Sequence, residues 1–216
     1  MHIYSFPTFN LTKVLLTAEE AEVPYTLHLL DLQKGEHKSP EHMARHPLGK
    51  VPAVEIEGTN YFESNAICRL IAEKYAPSLY ADTPEKRAMI NLWLDFMSQH
   101  IGRWIAVPMF EETLGPAFLG RQPDAAAIAE AKGYLDEQLP VLDQQLAQDG
   151  YLANGALSIA DLVGCCYFET IPYCSVDLDS YPNIVRWLDT LQSRPAYARA
   201  VAGLPGGKTF GMVDQA

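Results

Sequence analysis

The sequence predicts two structural classes in one chain: an α/β unit over residues 1–77, then an all-α unit over residues 84–216. Two observations carry this division. Before residue 75, apolar segments of period two alternate with segments of helical spacing, whereas after residue 84 only the helical spacing recurs. Between them, Pro77 and Pro84 flank small polar residues, the composition of a linker.

The elements follow in order. Residues 2–6 read as a short strand. Leu11 to Glu20 reads as a helix with Leu11, Val14, Leu15 and Ala18 on one face. Tyr25 to Asp31 alternates like a strand. After a polar stretch, Ser39-Pro40-Glu41 predicts a short helix with proline in its first turn. Val51 to Glu57 is a strand, Gly58-Thr59-Asn60 a turn and Tyr61-Phe62 the returning strand. Ile67, Leu70, Ile71 and Lys74 then have helical spacing. Four strands thus belong to one mixed sheet. In the second unit, Ile90, Trp93, Leu94 and Met97 open a helix running to about Met109. Ile128, Leu135, Leu139, Leu142 and Leu146 form a stripe on a helix that Pro140 is expected to kink. Ser158-Ile159-Ala160-Asp161 has the pattern of a capping box. Ile184, Trp187, Leu188 and Leu191 mark a further helix.

Composition narrows the function. Hydrophobic content of 48% with 20% charged residues fits a globular protein, and no apolar run reaches the ~18 residues of a membrane span. Met1-His2-Ile3-Tyr4 enters a strand-like run without a signal-peptide pattern. Cys68, Cys165, Cys166 and Cys174 have neither CxxC nor metal-ligand spacing, which points to a reducing cytoplasm and predicts no metal site. A net charge of −11 disfavours nucleic acid and anionic membranes as partners. Against that charge, Lys34, His37, Lys38 and Lys50 gather in a short stretch; read alone, this is a solvated loop.

Three motifs occur in a familiar order: Lys50-Val51-Pro52-Ala53, then Phe62-Glu63-Ser64-Asn65-Ala66-Ile67, then Leu157-Ser158-Ile159-Ala160-Asp161. With them the chain resembles the soluble glutathione transferases over nearly its whole length. Lys34-Gly35-Glu36-His37-Lys38-Ser39-Pro40-Glu41 is similar to the Phi-class pattern. Pro7-Thr8-Phe9-Asn10 with Lys13 is similar to the bacterial Nu-class pattern, from which it departs at Phe9. The resemblance implies a thioredoxin-like N-terminal domain that binds glutathione and a helical-bundle domain that lines the pocket for an electrophile.

It also implies site residues. Thr8 and Asn10, read alone as cap and turn residues, become donors that activate the glutathione thiol, with Ser5 as a competing hydroxyl and Tyr4 read as an in-strand core residue. The Val51-Pro52 bond is implied to be cis, presenting Val51 to the cysteinyl backbone of glutathione. Ser64 is implied to cap a helix whose N-terminus takes the γ-glutamyl carboxylate, with Glu63 facing the ammonium group. His37, Lys38 and Lys50 would hold the glycine carboxylate. Phe9, Trp104, Met109, Phe110 and Tyr167 are candidates for the electrophile pocket, core packing being the simpler reading of the last four.

The leading expectation is addition of glutathione, as co-substrate and with no other cofactor, to small hydrophobic electrophiles. The alternatives are a glutathione-dependent peroxidase or disulfide reductase, and a noncatalytic interaction module of the same fold. The absence of cysteine from residues 1–67 weighs against a cysteine-based thioltransferase. The resemblance further implies a homodimer.

Overall fold

The structure, a computed structural model, describes residues 1–210. The last six residues of the expected 84–216 unit lie outside the described residues. Four strands form one sheet in the order β2-β1-β3-β4: β1 (His2–Ser5), β2 (Thr26–Leu29), β3 (Ala53–Ile56) and β4 (Thr59–Phe62). β1 pairs parallel with β2, while β1–β3 and β3–β4 are antiparallel. The sheet is therefore mixed, as expected.

Its connections explain the departures from the predicted bounds. β3 starts at Ala53 rather than Val51, because Pro52 has no N–H to give a ladder. The hairpin turns at Glu57-Gly58, both with positive φ (52° and 79°), so β4 begins at Thr59 instead of Tyr61.

Helix α1 (Phe9–Glu20) begins two residues before the apolar pattern does, with Thr8 as its N-cap. Every residue from Leu11 to Ala18 is buried, polar ones included, because α3 (Ser64–Tyr75), α7 (Ile159–Tyr167) and α9 (Pro195–Ala202) all pack on it. One apolar face was therefore too narrow a reading. The short helix α2 (Pro40–Arg45) is capped by the Ser39 hydroxyl, which accepts from the His42 N–H at 3.2 Å.

The predicted helix from Ile90 to Met109 is longer. Helix α4 (Pro84–Phe96) continues through a π-helical stretch (Met97–Gly102) into α5 (Arg103–Met109) and a second π stretch (Phe110–Leu119). Each π stretch shifts the phase of the side chains that follow, a feature frequent at functional sites. Gly102 ends the first one, and a Cβ there would collide with the Tyr167 ring. Helix α6 (Ala125–Asp149) passes through Pro140 without ending there, burying Leu135, Leu139, Leu142 and Leu146. Helix α8 (Pro182–Gln192) buries Ile184, Trp187, Leu188 and Leu191.

Helix α9, which the sequence pattern did not single out, is bound to α1 by two arginines. Arg194 holds both oxygens of Glu20 at 2.5 and 2.9 Å, and Arg199 holds Glu19 at 2.6 Å. The apolar core runs without interruption from Ile3 to Leu204 and joins the sheet to the bundle. Among the described residues no helix is long and apolar enough to cross a membrane.

Candidate active site

A cleft of about 340 Å³ opens where α1, α3 and the start of β3 meet the first π stretch. It is built from helix beginnings. At α1, the Thr8 hydroxyl accepts from the Leu11 N–H at 3.4 Å. That leaves the hydroxyl proton uncommitted, since a threonine both accepts and donates. Asn10, the second residue of α1, lines the cleft. Its Oδ1 accepts from Lys13 Nζ at 2.7 Å and from the Ser64 hydroxyl at 3.3 Å. An ammonium can only donate, so it fixes the orientation of the Asn10 amide and leaves Nδ2 as the group for a ligand.

Lys13 is only 1% exposed and carries no ion pair among the described residues. Taking an ammonium out of water costs several kcal/mol unless it is compensated. Besides Asn10, its compensation is aromatic: the Nζ stands 3.7 Å from the Tyr167 ring centroid and 5.1 Å from that of Phe9. A cation thus sits at the floor of the cleft, partly balanced by neutral groups.

At α3, Glu63 rather than Ser64 is the N-cap, and its side chain makes no capping bond. The expectation that Ser64 caps this helix is corrected: Ser64 is the first helical residue, and its hydroxyl turns to Asn10. Glu63 has φ 68° and ψ 104°, a strained conformation for a residue with a side chain. The first backbone N–H groups of α3 have no intrahelical partners and carry the positive end of the helix dipole.

The third edge comes from the segment before β3. The Val51-Pro52 bond is cis, and Lys50, Val51 and Pro52 all line the cleft. His46, which sequence reasoning passed over, lines it too. Its Nδ1 accepts from the Leu48 N–H at 3.2 Å, and its ring lies 4.8 Å from Phe62. Burial lowers its pKa, so the ring is neutral at physiological pH and Nε2 carries the proton. His42 supports the segment from below, with Nε2 2.8 Å from the Lys50 carbonyl.

The far wall belongs to the helical unit. Ser98, in the first π stretch, donates to the Leu94 carbonyl at 2.7 Å. Having spent its only proton, it accepts from Asn65 Nδ2 at 2.7 Å and from the Tyr167 hydroxyl at 3.2 Å. Asp95 and Gln99 complete this wall, which is polar rather than apolar.

Of the sequence-predicted residues, Asn10, Lys50, Val51, Pro52, Glu63, Ser64 and Tyr167 meet in the cleft. Thr8 is half-buried beside it, outside the lining ring. The others lie elsewhere. Ser5 is fully buried and donates to the Phe6 carbonyl at 3.1 Å. Tyr4 is not core but half-buried, stacked on His28 and covered by Arg45. Lys34 pairs with Asp31, and Lys38 donates to the Leu48 carbonyl at 2.7 Å, so the basic cluster does not converge. His37 does not line the cleft. Phe9 packs on Tyr167 at 5.4 Å and on Phe210 at 6.3 Å. Trp104 stacks on Tyr134 at 4.2 Å, Met109 is buried in the core, and Phe110 is exposed beside Arg121. These three do not line the cleft.

Lys13, His46, Asn65, Asp95, Ser98 and Gln99 line the cleft without having been predicted as site residues. Lys13 had a signal, being a lysine one turn after Asn10; the others read as ordinary polar residues.

Comparison with known proteins identifies the family. The family models for the N-terminal and C-terminal domains of glutathione S-transferase match residues 1–73 and 99–195. A probable glutathione S-transferase (GSTF2) of Oryza sativa subsp. japonica is 34% identical over 201 residues, covering 91% of this chain and 93% of that protein. Glutathione S-transferase 1 of Zea mays is 34% identical over 200 residues, covering 90% and 92%. Among solved structures, a glutathione S-transferase-I bound with lactoylglutathione superposes with a TM-score of 0.86 at 30% identity, over 93% of this chain and 98% of that one. A glutathione S-transferase I from maize in complex with an atrazine glutathione conjugate gives 0.85 at 32% identity, over 92% and 95%.

Proposed function

This chain belongs to the glutathione S-transferase family, and from that premise we propose how it works as a glutathione transferase. Residues 1–77 bind glutathione, the helical unit from residue 84 onward supplies the second wall through Asp95, Ser98, Gln99 and Tyr167, and the thiolate attacks a small hydrophobic electrophile. The observation that carries this reading is the arrangement of Lys13, Asn10 and Ser64 at the cleft floor.

A free thiol with a pKa near ~8.5 is only a few per cent ionised at neutral pH. Lowering that value by about two units takes roughly 2.7 kcal/mol of preference for the thiolate. A hydrogen bond to a charged acceptor is worth about 1.5–3 kcal/mol. Asn10 Nδ2 and the free Thr8 proton are two such donors, and the Lys13 ammonium adds a positive field behind them. The bound thiolate in turn places an anion beside Lys13, whose side-chain hydrogen bond within the protein goes to a neutral amide.

The peptide part of glutathione follows the rest of the cleft. Val51 pairs with the cysteinyl backbone. The open N-terminus of α3 takes the γ-glutamyl carboxylate through its free backbone N–H groups, that of Ser64 among them, and Glu63 faces its ammonium. Lys50 and the Nε2–H of His46 take the glycine carboxylate. The electrophile lies on the side of Phe9 and Tyr167. The exposed apolar residues Leu48, Phe62, Met89 and Leu92 support a homodimer. Four free cysteines support a cytoplasmic protein, and none of them lines the cleft, so the reacting sulfur is that of the ligand.

The test is a pH–rate profile with a chlorodinitrobenzene-type electrophile. Asn10→Ala, Thr8→Val and Lys13→Met are each expected to lose roughly ten- to hundred-fold in rate at neutral pH, with glutathione affinity changed much less. The deficits shrink at alkaline pH, where the thiolate forms unaided. Ser5→Ala stays near wild type. A Ser5→Ala enzyme without activity, beside an intact Thr8→Val enzyme, would assign activation to the wrong hydroxyl.

A further inference from the structure

Tyr167, the last residue of α7, rests its ring on the Lys13 ammonium, and three contacts fix the ring there. Its hydroxyl donates to Ser98 at 3.2 Å. One edge of the ring fills the space beside Gly102, where even a Cβ would collide with it. Its face lies over Lys13, with Nζ 3.7 Å from the centroid. Ser98 and Gly102 both belong to the π stretch Met97–Gly102. Ser98 is itself held: its one proton goes to the Leu94 carbonyl, and Asn65 Nδ2 donates to it from the first turn of α3. The ring is thus anchored by both units of the molecule.

The ammonium has few other holds. Among the described residues its side-chain hydrogen bond goes to Asn10 Oδ1 at 2.7 Å. An ammonium has three protons, so two remain for the ring face and for a ligand. The stem of a lysine is also long and loses much rotamer freedom when it is ordered. An aromatic face suits such a cation in a second way. It attracts the ammonium through its quadrupole and adds no negative charge. A carboxylate in the same place would cancel the positive field at the cleft floor, as Glu20 does for Arg194. The neutral ring leaves that field for an anion in the cleft, which Lys13 and Tyr167 both line.

We propose that Tyr167 is a positioning residue: Ser98 and Gly102 fix its ring as a seat that holds the Lys13 ammonium beside the reacting sulfur. Three further titratable groups feel the Lys13 charge, Cys68 on α3, Cys166 on α7 and Glu169 just after α7, and none of them lines the cleft. Burial pushes both thiols up, so they stay neutral. Burial also pushes Glu169 up to about 7, where its charge changes near neutrality. The seat acts without it.

The proposal rests on the transferase reading in one respect: the anion beside Lys13 is the glutathione thiolate. Without electrophile, the thiol of bound glutathione is titrated by its ultraviolet absorbance in wild type, Lys13→Met, Tyr167→Leu and Gly102→Ala. All three variants are expected to raise its pKa, Tyr167→Leu by about half to one unit, the worth of a cation–π contact. In a Lys13→Met background Tyr167→Leu should add nothing, because the ring then has no charge to hold. In a Glu169→Gln background the Tyr167→Leu shift should persist. Additive shifts with Lys13→Met overturn the proposal, as does a shift that vanishes with Glu169→Gln. A Tyr167→Leu complex that titrates like wild type while Lys13→Met is shifted overturns the seat and leaves the transferase reading intact. If Lys13→Met is unshifted too, the role of Lys13 in that reading falls, and the seat with it. Independently of glutathione, proton NMR of the unliganded protein reads the ring contact. The Lys13 ε-methylene protons should resonate upfield under the ring face and return to the ordinary lysine position in Tyr167→Leu. Lys13 protons at the ordinary position in wild type overturn the seat, whatever the chain conjugates.

Discussion

Helix α7 begins at a closed N-terminus and helix α3 at an open one, although each starts beside a serine and an acid. At α7 the Ser158 hydroxyl accepts from the Ala160 N–H, and Asp161 collects four donors: the Ser158 N–H and hydroxyl, the Leu152 N–H and the Trp187 indole, all at 2.9–3.0 Å. Nothing is left for a ligand. At α3 the acid, Glu63, stands one residue before the serine instead of three after it, too early to fold back on the cap. The serine bonds to Asn10 of another helix, and the first N–H groups stay free. The same residue types therefore stabilise the fold at one helix and leave chemistry available at the other. Spacing decides which.

Removing the closed end should have the largest effect. Asp161→Ala strips four buried donors of their acceptor, each a loss of about 1–3 kcal/mol before relaxation, so the variant is expected to lose about 3–5 kcal/mol of stability in urea. Glutathione affinity of the protein that remains folded should be unchanged, since Asp161 does not touch the cleft. A variant that kept wild-type stability but lost glutathione would reverse the roles assigned to the two ends.

The second effect contrasts Asp161 with Glu169, the acid just beyond the other end of α7, which has one donor instead of four. Its folded pKa of about 7 lies above the usual 4.5, so between these values the folded state binds more protons than the unfolded state. Stability from this group is then fully present below about pH 4.5 and is lost as pH rises through 7, in all roughly 3 kcal/mol. Glu169→Gln should remove this dependence: relative to wild type, its melting temperature should climb from pH 5 to pH 8. A constant difference would place the Glu169 carboxyl in the ordinary range.

How much of this was legible depended on whether a feature is local. The capping box at Ser158 and the apolar stripe of α8 lie within single helical turns, where period and spacing determine the structure. Asn10, Val51, Glu63 and Ser64 were legible through motifs. The electrophile wall was not, because Trp104, Met109 and Phe110 are taken up by Tyr134, the core and Arg121, partners that helical spacing does not reveal. His46, Asn65 and Ser98 acquire meaning only through partners distant in sequence, such as Asn65 with Ser98. Lys13 illustrates the same limit. A lysine in an amphipathic helix reads as solvent-facing, and only the packing of three helices around α1 buries it.

The smallest effect should come from the open end itself. Glu63 holds φ 68° with an exposed side chain that caps nothing. Strain of this kind costs on the order of 1–3 kcal/mol, and glycine would relieve it while adding about 0.5–1 kcal/mol of backbone entropy to the unfolded chain. Glu63→Gly is therefore expected to be more stable than wild type by about 1 kcal/mol. It should nevertheless bind glutathione more weakly, because the carboxylate facing the γ-glutamyl ammonium is gone. Glu63→Gln separates the two causes, since it keeps the backbone strain and removes only the charge. It should match wild type in urea and match Glu63→Gly in its calorimetric loss of glutathione affinity. If Glu63→Gly proved less stable than wild type, the positive φ would be relaxed rather than strained. The open N-terminus of α3 would then carry no stability cost for keeping its N–H groups available.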